Sequence, residues 1–93
     1  MDFEWDERKR EINRNKHGIA FEKVVEAFTD PFNLISLDSA HSTDNEKRQI
    51  LIGRSECGIV VVVFTIRNSA IRLISARRAN RRERKNYEAH KDR

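Results

Sequence analysis

Ile59–Ile66 (IVVVVFTI), Arg67–Arg77 (RNSAIRLISAR) and Arg78–Tyr87 (RANRRERKNY) form one continuous stretch whose reading decides the fold. The apolar run falls far short of the ~20 residues a membrane helix needs, and its β-branched content predicts a buried strand. The polar Arg67-Asn68-Ser69 predicts a turn into a second strand. In that strand Ile71, Leu73 and Ser75 share one face with Arg77, and Arg72, Ile74, Ala76 and Arg78 share the other. Asn80-Arg81-Arg82-Glu83 has the form of a capping box and predicts a basic helix with Tyr87 and Ala89 as its only apolar anchors. Arg67 and Arg77 each follow the apolar part of a strand, so the expectation is two guanidiniums on adjacent strand ends.

Working outward toward the N-terminus, Glu46–Ile52 (EKRQILI) alternates as a strand ended by Gly53, and Ser55–Gly58 makes a tight turn. Phe32–Leu37 (FNLISL) predicts another strand, and Asp38–Asn45 (DSAHSTDN) is a polar loop. Phe21, Val24, Val25 and Phe28 fall at i, i+3, i+4 and i+7, predicting a helix whose apolar stripe faces the core. Asp30-Pro31 ends it. A first helix runs from an N-cap at Asp6 to about Lys16, closes at His17-Gly18, and has Ile12 as its main apolar contact. Phe3-Glu4-Trp5 is a short edge strand or a lid. Short turns without intervening helices imply an α+β fold. Its sheet is an antiparallel meander of about four strands with a possible extra N-terminal strand, two N-terminal helices on one face and a C-terminal helix.

The 93 residues fit a single domain spanning 1–93 with one modest core. The lone Cys57 excludes an internal disulfide and fits a reducing cytoplasm. The charged start (MDFEWDERKRE) has no signal-peptide pattern, and no apolar run is long enough to span a bilayer. The net charge of +4 is unevenly placed: residues 67–93 carry ten basic and three acidic side chains, while the rest of the chain is net negative. Such concentrated positive charge marks a phosphate-backbone or acidic partner. No metal site is expected, because His17, His41 and His90 are scattered and none pairs with a cysteine at ligand spacing. No glycine-rich phosphate loop or Ser-His-Asp pattern is present, and no cofactor is expected.

Several spaced elements together resemble the BrnT toxins. These are the aromatic-Trp-Asp start, Asn13, Lys16-His17-Gly18, Phe21, Asp30-Pro31, Glu46-x-Arg48, Gly53, and Ile74-Ser75-Ala76-Arg77 followed by Glu83-Arg84 and Tyr87. One departure is Ala20, where an N-capping serine commonly precedes the helix phenylalanine; the missing cap costs about 1 kcal/mol. The resemblance implies the toxin half of a type II toxin–antitoxin pair, with a RelE-like fold and ribonuclease activity that arrests translation. It also implies a DNA-binding, BrnA-like antitoxin, the complex binding operator DNA.

Metal-independent RNA cleavage needs a base for the 2′-OH, cations for the phosphorane and an acid for the 5′-oxygen. Arginine suits the second task, since its planar fork binds two phosphate oxygens and stays charged. Arg67 and Arg77 are the catalytic candidates on that ground. Glu46, Lys16, His17 and Tyr87 remain open as proton carriers; Glu46 and Lys16 join the catalytic set, and His17 fits a helix end equally well. Arg48, Arg81, Arg84 and Tyr87 are expected to hold RNA. The alternative is a basic module that grips nucleic acid or a partner without catalysis.

Overall fold

In a computed structural model describing residues 2–93, five strands form one mixed sheet flanked by helical segments. Strands β1 (Asp2–Glu4), β2 (Leu34–Leu37), β3 (Gln49–Ser55), β4 (Gly58–Arg67) and β5 (Ala70–Arg78) stand in the order β1-β5-β4-β3-β2. β2 to β5 make the expected antiparallel meander. β1, however, pairs in parallel with β5, through Phe3 opposite Ile71. The sheet is therefore mixed, and the N-terminal edge strand is real. Helices α1 (Glu7–His17) and α2 (Arg81–Lys91) complete the fold.

The core lies on one face of the sheet. Leu51, Val60, Val62, Phe64, Ile71, Leu73 and Ala76 meet Ile19, Phe21, Val24 and Ala27 there, with Phe3, Trp5 and Phe28 packed at the margin. The stripe from Phe21 to Phe28 does face this core, but it is not one α-helix. It forms two 3-10 turns, Phe21–Lys23 and Val25–Thr29, and Ala20 offers no side-chain cap. The second turn is pressed onto the sheet: a Cβ on Gly53 would come within 2.9 Å of the Ala27 carbonyl oxygen. Gly53 accordingly lies inside β3 as a point of close approach, and does not end the strand as its position suggested.

β5 contains a bulge that alternation alone does not reveal. Val63 pairs with Ser75 and Phe64 with Leu73, leaving Ile74 as an extra residue. Ile71 and Leu73 are buried, but beyond the bulge Ala76 turns inward. Ser75 and Arg77 therefore face away from Ile71 and Leu73, not with them.

Asp6 caps α1 by accepting from the backbone N–H groups of Arg8 and Lys9, and Gly18 closes it at φ 71°. Ile12 is 57% exposed and is not the docking residue. Asn13 is, at 5% exposed. β1 ends at Glu4, opposite Arg72, so the outer edge of β5 beyond it needs a hydrogen-bonding partner. The Asn13 side chain supplies one: its amide donates to the Ala76 carbonyl (2.8 Å) and its oxygen accepts from the Ala76 N–H (3.0 Å). It also donates to the Ile19 carbonyl at 2.9 Å. The carboxamide thus imitates a neighbouring strand, which is why a helix with almost no apolar face is held in place. Asn13→Leu strips partners from three buried backbone groups and is expected to lower unfolding free energy by about 3 kcal/mol, measured in urea.

A second tie joins α1 to the first 3-10 turn. Arg10 donates from Nε (2.8 Å) and Nη2 (2.6 Å) to the two carboxylate oxygens of Glu22. That fork holds the Glu22 pKa at about 2, below its ordinary 4.5. Between those values the unfolded chain binds the extra proton, so this contribution is complete above pH 4.5 and lost as pH falls toward 2. Glu22→Gln is expected to flatten the fall of the thermal midpoint across that interval; the exposed position keeps the effect small.

Candidate functional site

Alternation divides the sheet into a covered face and a basic one. Gln49 pairs with Phe64 on the covered face, so Arg48 projects from the other. Thr65 pairs with Arg72 and Val63 with Ser75, which places Arg72, Ser75, Arg67 and Arg77 on that same basic face.

Between this face and α1 lies a groove of about 260 Å³, lined by Lys9, Ile12, Asn13, Lys16, His17, Arg48, Ile74 and Ser75. Among the described residues no carboxylate lines it. Lys9, Ile12 and Lys16 are brought together by helical spacing (i, i+3, i+7), and Arg48 arrives from the start of β3. The Arg48 backbone is held by Ser42, whose hydroxyl accepts from its N–H at 2.9 Å. Glu46 links this groove to Arg67: its carboxylate lies 3.2 Å from Arg48 Nε and 3.7 Å from Arg67 Nη2.

Arg67 and Arg77 are not neighbours. Arg67 pairs with Ala70 beside the turn, and Arg77 pairs with Val61, so they lie at opposite ends of the hairpin. About 20 Å of strand separates those levels. Successive antiparallel strands finish at opposite edges, so the two strand ends are not adjacent as expected. The turn at Asn68 (φ 52°) and Ser69 (φ 67°) has both residues left-handed, as a two-residue hairpin with the sheet's twist requires.

Arg77 instead adjoins the groove through Ser75, two residues before it on the same face. Its Nη1 and Nη2 each donate to one oxygen of Glu83 at 2.8 Å, and Nη1 also donates to the Arg78 carbonyl at 3.3 Å. The Arg77 hydrogen bonds push the Glu83 pKa below the usual carboxylate value, outweighing partial burial. Glu83 in turn holds the Arg77 proton more tightly than in free arginine.

Arg81 and Arg84 are exposed on α2, and Arg84 donates to the Ala79 carbonyl at 3.0 Å. Arg81 shares a shallow surface with Arg82 and Lys85. Tyr87 does not belong with them. It is 1% exposed, and its hydroxyl donates to Asp30 Oδ2 at 2.6 Å, so it cannot reach RNA. Asp30 also accepts from the backbone N–H groups of Arg54 and Phe32. Burial alone would raise the Asp30 pKa; the Tyr87, Phe32 and Arg54 donors reverse that and leave it lowered. Burial, then the Asp30 carboxylate, pushes the phenol up. Ala89, the other expected anchor of α2, is exposed.

Of the expected site residues, Lys16 and Arg48 line one groove, Glu46 and Arg67 attach to it, and Arg77 borders it. Lys9, His17 and Ser75 are added. His17 is also the last residue of α1, as expected of a helix end. The i, i+7 spacing of Lys9 and Lys16 was a visible signal for the first of these. Among the described residues, no three His, Cys, Asp or Glu side chains gather as a metal site, and no helix is long and apolar enough to cross a membrane.

A family model described as the ribonuclease toxin, BrnT, of type II toxin–antitoxin systems matches residues 5–83. The chain belongs to the BrnT family. That match runs from Trp5 through α1, strands β2 to β5 and the first turn of α2, and so takes in every groove residue together with Glu83. A ribonuclease toxin has RNA targets and an antitoxin partner, and the groove brings Lys9, Lys16 and Arg48 of this BrnT-family chain together. No curated protein matches the chain. Tyr87→Phe is expected to lower stability by about 1–3 kcal/mol, the range for a hydrogen bond to a charged group, while RNA affinity in a filter-binding titration stays unchanged.

Proposed function

We propose that the chain is a metal-independent endoribonuclease toxin whose substrate phosphate lies in the groove between α1 and the basic face. The observation that carries this reading is the company of Lys9, Lys16, His17 and Arg48 in one carboxylate-free groove, with Arg77 at its border. The reaction is attack of a 2′-oxygen on the adjacent phosphorus. The 2′-OH proton passes to a base, the P–O5′ bond breaks, and the 5′-oxygen takes a proton from an acid. A 2′,3′-cyclic phosphate and a 5′-hydroxyl result.

The phosphorane carries more negative charge than the substrate, so cations fixed around it stabilise the transition state selectively. Arg48 and Arg77 supply planar forks for its oxygens. Lys16 adds a mobile ammonium and, with His17, a proton carrier. Glu46 holds Arg48 and Arg67 in register, and Arg67 with Arg81 and Arg84 grips flanking phosphates. A DNA-binding, BrnA-like antitoxin covers this arginine-bearing face by opposite charge, and the complex reaches operator DNA through the antitoxin. Such a toxin works in the cytoplasm, where its RNA lies.

Incubation of the purified chain with RNA and EDTA is expected to yield fragments ending in a cyclic phosphate. Arg77→Ala is expected to remain folded within about 1 kcal/mol, as for other half-exposed ion pairs, and to cut cleavage about 10³-fold, enough to end growth arrest. Intact RNA bound with a steep salt dependence would replace catalysis with simple phosphate gripping. In the antitoxin complex, hydrogen-exchange protection should fall on β4, β5 and α1; protection confined to β2 would reject the placement of the partner.

A further inference from the structure

Glu83 performs two tasks at once. As the third residue of α2 it accepts from the Asn80 backbone N–H at 2.8 Å, while the Asn80 side chain accepts from the Glu83 N–H at 2.9 Å. The same carboxylate receives both terminal nitrogens of Arg77. One oxygen, Oε1, is therefore shared between the helix cap and Arg77, which locks the guanidinium to the first turn of α2.

The pattern of donors shows what is left over. A guanidinium has five N–H bonds. Glu83 takes one from Nη1 and one from Nη2, and the Arg78 carbonyl takes the second from Nη1. The Nε–H and the remaining Nη2–H carry no partner among the described residues. Those two point in parallel from one edge of the guanidinium, the fork that binds two oxygens of a phosphate.

We propose that Glu83 is a positioning residue: it fixes Arg77 by the end of its guanidinium so that the Nε/Nη2 edge is held open for the scissile phosphate. The ion pair does not withdraw Arg77 from the site. It removes the side chain's torsional freedom before substrate arrives, so that less ordering entropy is lost in the transition state. This rests on the ribonuclease reading above and assigns a role to a residue that touches no substrate.

Glu83→Gln separates the two tasks. The amide oxygen still accepts from the Asn80 N–H, so the helix cap survives. Its NH2 group, however, meets an Arg77 N–H donor to donor, and the two-point clamp is lost. The expected result is a kcat reduced about 10²-fold, the effect of misplacing a reacting group by about 1 Å, with KM within about threefold and an unchanged thermal midpoint. Adding Arg77→Ala to Glu83→Gln should cost no more than Arg77→Ala alone, because both act through one guanidinium. Glu88→Gln removes a carboxylate from the same helix and should cleave like the parent.

The pH profile supplies a readout that a helix-cap role would not move. Loss of the clamp on Glu83 protonation should give the parent an acid limb below the ordinary carboxylate range, and Glu83→Gln should lack it. If the parent cleaves RNA and Glu83→Gln matches its kcat and pH profile, the positioning role is wrong and the ribonuclease reading stands. Fully additive losses in the double variant would also overturn the role. If the parent leaves RNA intact, the ribonuclease reading fails first.

Discussion

One extra residue in β5 sets the character of the whole molecule. A strand presents alternate side chains to alternate faces, so a single unpaired Ile74 exchanges the faces for everything that follows. Before the bulge, Ile71 and Leu73 fill the core; after it, Ala76 takes the inward place and Ser75 and Arg77 look outward. Without the extra residue Arg77 would stand opposite Val60 on the covered face, the exposed strand end that Arg78 now holds, and Ser75 would take the inward place of Ala76 opposite Val62. The bulge keeps the hydrophobic layer continuous and puts an arginine on the open face within reach of α2.

A second constraint acts at the edge of the same strand. β1 is only three residues long, so β5 keeps an exposed backbone edge beyond it. Asn13 answers it with a side-chain amide. That choice has a consequence for the groove: because α1 docks through the polar Asn13 and Arg10 and not through an apolar stripe, Lys9, Ile12 and Lys16 remain available at the rim. A helix docked by a broad apolar stripe would have buried some of those positions. The polar anchoring of α1 and the cationic wall of the groove are two aspects of one arrangement.

The electrostatics are graded and not simply positive. Glu46 stands between Arg48 and Arg67, and Glu83 stands against Arg77, so three of the arginines on the basic face are each tied to a carboxylate. Lys9 and Lys16, by contrast, have no acidic partner among the described residues. Tied guanidiniums hold their geometry, whereas free ammoniums move and can follow a substrate. A groove built from both combines a fixed frame with adaptable charge.

Much of this was readable along the chain. Asp6, Gly18 and the Asn80–Glu83 box mark helix ends because their hydrogen bonds are local. The β-branched run at 59–66 marks the central strand, and Arg67-Asn68-Ser69 marks the hairpin turn, again from neighbours in sequence. The spaced elements from Trp5 to Tyr87 that resemble the BrnT toxins are likewise legible along the chain. What the chain alone left undecided involved residues far apart in sequence. The bulge at Ile74, the pairing of Asn13 with Ala76, the burial of Tyr87 against Asp30 and the 3-10 form of Phe21–Thr29 each depend on a contact across the fold. Composition and local pattern determined which segments fold and where charge accumulates. Only the packed sheet decided which face each arginine occupies, since face and register come from pairing with strands elsewhere in the chain.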